Sequence, residues 1–179
     1  IYTGLQMIVA RQSNLPKAPV VITVGRISGG VRENIIPEDL VMAGTIRTLD
    51  SMMQTDVHER IRRTATSIAE SMGATVEVKI DRKAPVTYNT PELVEMMLPS
   101  LHKAAGRENV VLGEWVTGAE DFSFFHAKTP GFYFTVGGMP AGKDPKDAAP
   151  HHTPDFIIDD SRLDVGVKAF ANIVFDFKK

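Results

Sequence analysis

Over residues 1–81 the hydrophobic repeat switches between a period of two and a period near three and a half, and a chain satisfies both only by laying helices on a sheet. Pro19 to Ile27 (PVVITVGRI) is β-branched and bounded by Pro and by Ser28-Gly29-Gly30, while Asp39 to Arg47 (DLVMAGTIR) alternates apolar and polar residues. Both read as strands, joined as a hairpin by a long connection. Asp50-Ser51 then precede Met52 to Met72, where Val57, Ile61, Ala65, Ile68 and Met72 recur every three or four residues and Gly73 stops the helix. Ala74 to Asp81 (ATVEVKID) alternates again. Ahead of the hairpin, Ile1, Leu5, Ile8 and Val9 fall at helical spacing, and Pro16 and Pro19 prevent continuation. The order helix, strand, strand, helix, strand is a split βαβ sandwich without its first strand. The chain opens at Ile1 as though inside a helix, with no initiator Met or N-cap box, which leads us to expect a fragment.

From Ala84 the composition changes. Pro85 and Tyr88-Asn89-Thr90-Pro91 form a connector, followed by a helix over Glu92 to Ala105 closed by Gly106. Asn109 to Glu114 and Gly131 to Val136 read as short strands, and Ala119 to Lys128 as a short helix. Ser161 to Phe177 reads as a terminal helix with Leu163, Val167, Phe170, Val174 and Phe177 inward. The expected class is α/β, in two units over 1–83 and 84–179.

Composition excludes several functions. Twenty Lys+Arg against 22 Asp+Glu give a formal net charge of −2 with no block of one sign, so neither a nucleic-acid arm nor a polybasic membrane patch is indicated. No apolar run approaches the roughly 18–20 residues of a membrane helix. With no cysteine there is no disulfide, thiolate nucleophile or Cys-held zinc, so any metal falls to His and carboxylate ligands. A reducing, cytoplasmic compartment suits that composition.

Four constellations could carry chemistry. Gly137 to Asp144 follows a strand and matches G-x-x-x-x-G-K, but Asp144 stands where a phosphate-binding loop needs Ser or Thr. A flexible Gly/Pro loop is the better reading, and a nucleotide-binding domain the weaker alternative. Ser123 and His126 lack the small glycine flanks of a nucleophile elbow, so they read as a helix-face hydroxyl and a surface imidazole. His151-His152, bracketed by Pro150 and Pro154, presents two imidazoles from a loop, of which an extended backbone aims one at most toward a given metal. Glu120 and Asp121 place acidic residues at short range before that pair. Finally, Asn34 and Arg47 offer an amide and a planar five-donor fork, suited to an oxyanion or a carboxylate, or else a turn Asn and a strand-end Arg.

Ser28-Gly29-Gly30 with Asn34-Ile35-Ile36-Pro37 and Gly44-Thr45-Ile46-Arg47, then Thr117 to Ser123 (TGAEDFS), then Pro130 to Phe134 (PGFYF), then His151 to Phe156 (HHTPDF) resemble, in order and spacing, the metal-dependent N-acyl-amino-acid amidohydrolases. Hippurate hydrolase and the indole-acetyl-amino-acid hydrolases belong to that group. The resemblance covers essentially the whole chain. It implies a catalytic α/β domain with two divalent metals, Mn²⁺, Zn²⁺, Co²⁺ or Ni²⁺, interrupted by a ferredoxin-like lid through which the protein forms a homodimer. Residues 1–83 resemble most of that lid, and 84–179 the last part of the catalytic domain. The resemblance implies that His152 is a metal ligand, with His151 and Glu120 supporting the site from behind. Asn34 is implied to stabilise the oxyanion in the partner's site, and Arg47 to bind the substrate carboxylate there. The family's other metal ligands and its Glu base match nothing in these residues, so this stretch alone is expected to be inactive. The alternative is a non-catalytic dimerisation or binding module.

Overall fold

The computed structural model describes residues 1–177. They form two compact units, one of Ile1–Val86 with Val116–Ser123, the other of Thr87–Trp115 with the residues from Phe124 onward.

In the first unit, helix α1 (Tyr2–Met7) runs into a single π turn over Ile8–Gln12, which the Ser13 hydroxyl closes by donating to the Ile8 carbonyl at 2.9 Å. Strands β1 (Val20–Gly29) and β2 (Leu40–Thr48) follow as an antiparallel pair, with Val20 opposite Thr48 and Gly29 opposite Leu40. The register slips by one residue between Val24 and Arg26, so Gly25 is the extra residue of a bulge. Beside it, a Cβ on Gly44 would collide with the Thr23 carbonyl. The glycine of the Gly44-Thr45-Ile46-Arg47 string is therefore a condition of strand pairing.

Helix α2 (Ser51–Ser71) covers one face of this hairpin. It starts where the Asp50 carboxylate accepts from the Met53 amide at 2.7 Å, as the Asp50-Ser51 start signal requires. The Lys17 ammonium, 2.7 Å away, and then the Met53 amide hold the Asp50 carboxyl below its ordinary range. The helix ends at Gly73, whose φ of +71° suits a residue without a Cβ. Leu5, Ile8, Ala18, Val20, Ile22, Met53, Val57 and Ile61 make one apolar cluster, with Val24, Ile46, Val78 and Ile80 partly buried against it. Burying such side chains is the main favourable contribution here, on the order of 1.5–3 kcal/mol each.

The expected strand at 74–81 needs correction. Val78 and Ile80 do turn inward and Glu77 and Lys79 outward, so the alternation set the faces correctly. The segment is extended but joins no ladder among the described residues. Alternation fixes which side chains are buried, and says nothing about whether a neighbouring strand is there to pair.

The second unit pairs α3 (Pro91–Ala105) with α5 (Asp164–Asp176). Their seam is narrow and partly polar: Ala169 and Met97 are buried, the Ser100 hydroxyl donates to Asp176 at 2.9 Å, and the Asn172 amide donates to the Ser100 carbonyl at 3.2 Å. This reverses the expected face of the terminal helix, because Leu163, Val167, Phe170, Val174 and Phe177 are all exposed. A helix apolar on several sides has no single stripe for periodicity to orient. The expected strands at 109–114 and 131–136 also form no ladder among the described residues. The former opens as a 3₁₀ turn (Arg107–Asn109). The latter is held by side chains: Asn89 donates to the Tyr133 carbonyl at 2.9 Å and accepts from the Tyr133 amide at 2.6 Å, and Thr90 exchanges two bonds with Gly131. The short helix α4 spans Phe122–His126, inside the expected 119–128.

His58, on α2, is 5% exposed, and its burial, followed by the charges of Arg82 and Arg62, lowers its pKa from 6.5. The unfolded chain takes up this proton at a higher pH than the folded one. The contribution to stability is therefore complete above 6.5 and is lost as pH falls from there toward the folded value. Urea midpoints across that window are expected to drop in the wild type and to drop less in His58→Gln. Ile8 is fully buried, and Ile8→Ala is expected to cost about 2–5 kcal/mol in the same assay; a loss under about 1 kcal/mol would show that the hairpin and α2 do not share one core.

Candidate functional site

The loop of residues 30–39, which joins the two strands, leaves β1 through Gly30 at a φ of +84° and tightens where the Ile35 amide donates to the Arg32 carbonyl at 3.2 Å. Asn34 lies at this tip, exposed, with its side-chain amide bonded to no group among the described residues. A depression of about 370 Å³ lined by Val31, Ile35, Ile36 and Pro37 sits beside it. Val31 and Ile36 are about nine-tenths exposed, so the tip is an apolar projection with an amide in its middle.

Arg47 lies at the other end of the same hairpin, opposite Val21. Seven residues of strand separate it from Leu40, about 23 Å at roughly 3.3 Å per residue. Within one chain the two candidate substrate groups therefore stand at opposite ends of β2. The Arg47 Nη1 donates to the Thr117 carbonyl at 2.9 Å, across 70 residues of sequence. Three residues on, Glu120 turns on its own chain: its Oε1 accepts from the Phe122 amide at 3.2 Å and its carbonyl from the Ser123 amide at 3.1 Å. In this structure Glu120 starts α4, a role its sequence context alone did not reveal.

His151 and His152 occupy an exposed turn closed by the Thr153 hydroxyl, which donates to the Pro150 carbonyl at 2.7 Å. The His151 ring meets the Phe156 ring edge-on at 4.8 Å, and the two imidazoles are 6.5 Å apart at 81°, so they face different ways. His152 has a φ of +65°, the one non-glycine residue at positive φ among those described. A β-carbon in that region costs on the order of 1–2 kcal/mol, and such strain concentrates at functional positions. No group of three or more His, Asp or Glu side chains stands together as a metal cage among the described residues. His152 can offer one imidazole ligand, and among the described residues the other donors do not gather round it.

Two further motifs resolve structurally. The Asp144 carboxylate caps a 3₁₀ turn (Pro145–Asp147) by accepting from the Lys146 amide at 2.9 Å. The Gly138 carbonyl accepts from the Asp159 amide at 2.7 Å, and a Cβ on Gly138 would strike the Ile158 side chain. Gly138 thus serves chain packing, and Asp144 serves a local turn. Ser123 and His126 do lie on a helix, α4, and His126 is partly exposed, but the helix-face hydroxyl is turned inward. Ser123 is fully buried, and its Oγ, like the His126 Nδ1, is enclosed without a hydrogen-bond partner. The alternation of polar and aromatic residues in Phe122-Ser123-Phe124-Phe125-His126 gave no hint of which side would be covered.

No helix among the described residues is long and apolar enough to cross a membrane. The sequence profile of peptidase family M20/M25/M40 matches residues 4–176. Thermostable carboxypeptidase 2 of Saccharolobus solfataricus is 38% identical over 178 residues, 99% of this chain and 44% of that protein. The N-acetylcysteine deacetylase of Bacillus subtilis is 33% identical over 97% of this chain and 43% of that protein. A solved structure from methicillin-resistant Staphylococcus aureus superposes with a TM-score of 0.86 at 25% identity, over 99% of this chain and 45% of that one. The Bacillus subtilis YXEP protein, described as a dinuclear metal binding peptidase of the M20 family, superposes with a TM-score of 0.71 at 31% identity, over 97% of this chain and 44% of that one. The chain thus spans under half the length of these relatives, and its α/β fold is theirs. The match along 4–176 and the 38% identity together establish that it belongs to the M20/M25/M40 family of hydrolases.

Proposed function

We propose that the whole protein of which these residues form part hydrolyses the amide bond of N-acyl amino acids, as a homodimer with two divalent metals, Mn²⁺, Zn²⁺, Co²⁺ or Ni²⁺. The observation that carries this reading is the exposed, left-handed His152 in a turn bracketed by prolines and closed by a hydroxyl bond, since backbone strain of this kind concentrates at functional positions. Relatives that remove an acetyl group from an amino acid support the substrate class. His152 contributes one metal ligand, and the remaining ligands and the base that takes the water's proton lie outside this set of residues. His151, packed on Phe156, steadies the loop from behind.

The hairpin supplies the substrate groups. Asn34, on its projecting tip, reaches the other subunit's site and donates to the oxyanion as the scissile carbonyl becomes tetrahedral. Arg47 retains four N–H donors beyond the one given to Thr117, enough to grip a substrate carboxylate with two. Their separation along β2 means that one small substrate touches both only if they come from different subunits. A carboxypeptidase reading, in which the acyl group is a peptide, uses the same groups and is favoured by the Saccharolobus relatives. Comparing N-acetyl amino acids with N-blocked dipeptides decides between them.

Asn34→Ala in the full-length protein is expected to lower kcat about 10²–10³-fold with metal content unchanged; a change only in KM would contradict the oxyanion role. His152→Gly relieves the backbone while deleting the imidazole. It is expected to leave the urea midpoint unchanged or slightly raised, to reduce bound metal per chain and to abolish turnover. Unchanged metal content by atomic emission would refute the ligand assignment.

A further inference from the structure

The Val116–Ser123 stretch belongs by its packing to the lid unit, although β2 ends near residue 48 and 70 residues of chain separate the two. Up to Glu120 it has no helix or strand, Val116 is about three-quarters exposed, and nothing lies within 4 Å of where a Cβ on Gly118 would stand. Little side-chain packing restrains Val116 and Gly118. What crosses to this stretch is the Arg47 guanidinium, which donates to the Thr117 carbonyl at 2.9 Å. Beyond Thr117 the chain is folded on itself by Glu120, whose carbonyl and carboxylate both turn back on the next residues. The geometry points to a latch: we propose that Arg47 is a positioning residue acting within its own chain, hanging the Thr117–Glu120 stretch from strand β2 and so fixing where the Glu120 carboxyl group stands.

This reassigns Arg47 from the partner's site to its own. In place of the expectation that both Asn34 and Arg47 act across the dimer, this proposal lets only Asn34 do so: Asn34 lies in the loop before β2, and Arg47 stands about 23 Å from the start of that strand. The bond to Thr117 supports Arg47 as the one that acts in its own chain. A guanidinium is suited to the task because its fork holds a backbone carbonyl with one N–H and keeps the others for a carboxylate. The lid strand, the segment that carries Glu120 and a bound carboxylate are then tied through one side chain. The catalytic meaning of Glu120 rests on the functional reading above, while the latch itself does not.

Amide hydrogen exchange of the full-length protein tests it. In Arg47→Ala the amides of Phe122 and Ser123, which donate to Glu120, are expected to exchange roughly 2- to 12-fold faster, the change that follows from losing one hydrogen bond of ordinary net worth. Amides of Val57 to Ile61 serve as the control for the fold. Arg47→Lys, which keeps a donor and a charge but not the fork, is expected to fall between, and Arg47→Gln serves if the alanine variant does not fold. Unchanged exchange at Phe122 and Ser123 in a folded variant would overturn the latch. A second arm mixes full-length Arg47→Ala with full-length His152→Gly and assays N-acetyl amino acid hydrolysis once heterodimers are shown to form. With Arg47 acting in its own chain, no mixed site is whole and activity does not return; recovery would overturn the proposal. An Asn34→Ala and His152→Gly mixture, by contrast, recovers activity. Absence of turnover in the wild type defeats the functional reading and leaves the exchange result to decide the latch.

Discussion

The shared burial of Val20 and Ile22 of β1 and Val57 and Ile61 of α2 in one apolar cluster, with Leu5 and Ile8 among them, is the constraint on which the rest of the first unit depends. A two-stranded hairpin is marginal alone in water, and it becomes a fixed object only when a helix covers one face. That single packing decision has two consequences for function. It projects the 30–39 loop from one end of the hairpin, and it sets Arg47 at the other end with its side chain free of the core. Gly44 makes the pairing possible, and Asp50, capping α2 directly after β2, turns the chain back over the sheet.

Polar groups carry most of what the second unit adds. Its two long helices meet through Ser100, Asn172 and Asp176, and the extended Gly131–Val136 segment is held by Asn89 and Thr90 instead of by a strand. Such directed bonds fix geometry without much apolar burial, and they leave Phe170 and Val174 of α5 exposed. The His151-His152 turn follows the same logic. Proline and a hydroxyl bond determine the backbone, and the cost appears as a left-handed histidine.

Much of this was legible in the residues. The bounds of β1, β2, α2 and α3 follow from period and punctuation to within two residues, because each has a clear stripe or alternation and a capping signal. The fold class and family were legible too, through ordered strings and not through any single one. What was not legible depends on long-range partners. The alternation of 74–81 places Val78 and Ile80 inward but cannot supply a pairing strand. The face of α5 was misread because Leu163, Val167 and Phe170 look like a core stripe when nothing says which neighbour is a small, polar seam. Ser123 reads as a helix-face hydroxyl, and a hydroxyl between aromatic residues gives no sign that this face is enclosed. The bond from Arg47 to Thr117 was out of reach for the same reason: its acceptor is a backbone carbonyl, and every residue has one.

We propose that one hairpin serves two active sites, giving its Arg47 to its own chain and its Asn34 to another. A crystal structure of the full-length dimer with a non-hydrolysable N-acyl amino acid analogue tests this most directly. The ligand carboxylate is expected on the Arg47 guanidinium of the subunit that binds the metal, and the atom mimicking the oxyanion within hydrogen-bond distance of the partner's Asn34. A ligand held by both residues of one subunit, or by the partner's Arg47, would contradict it.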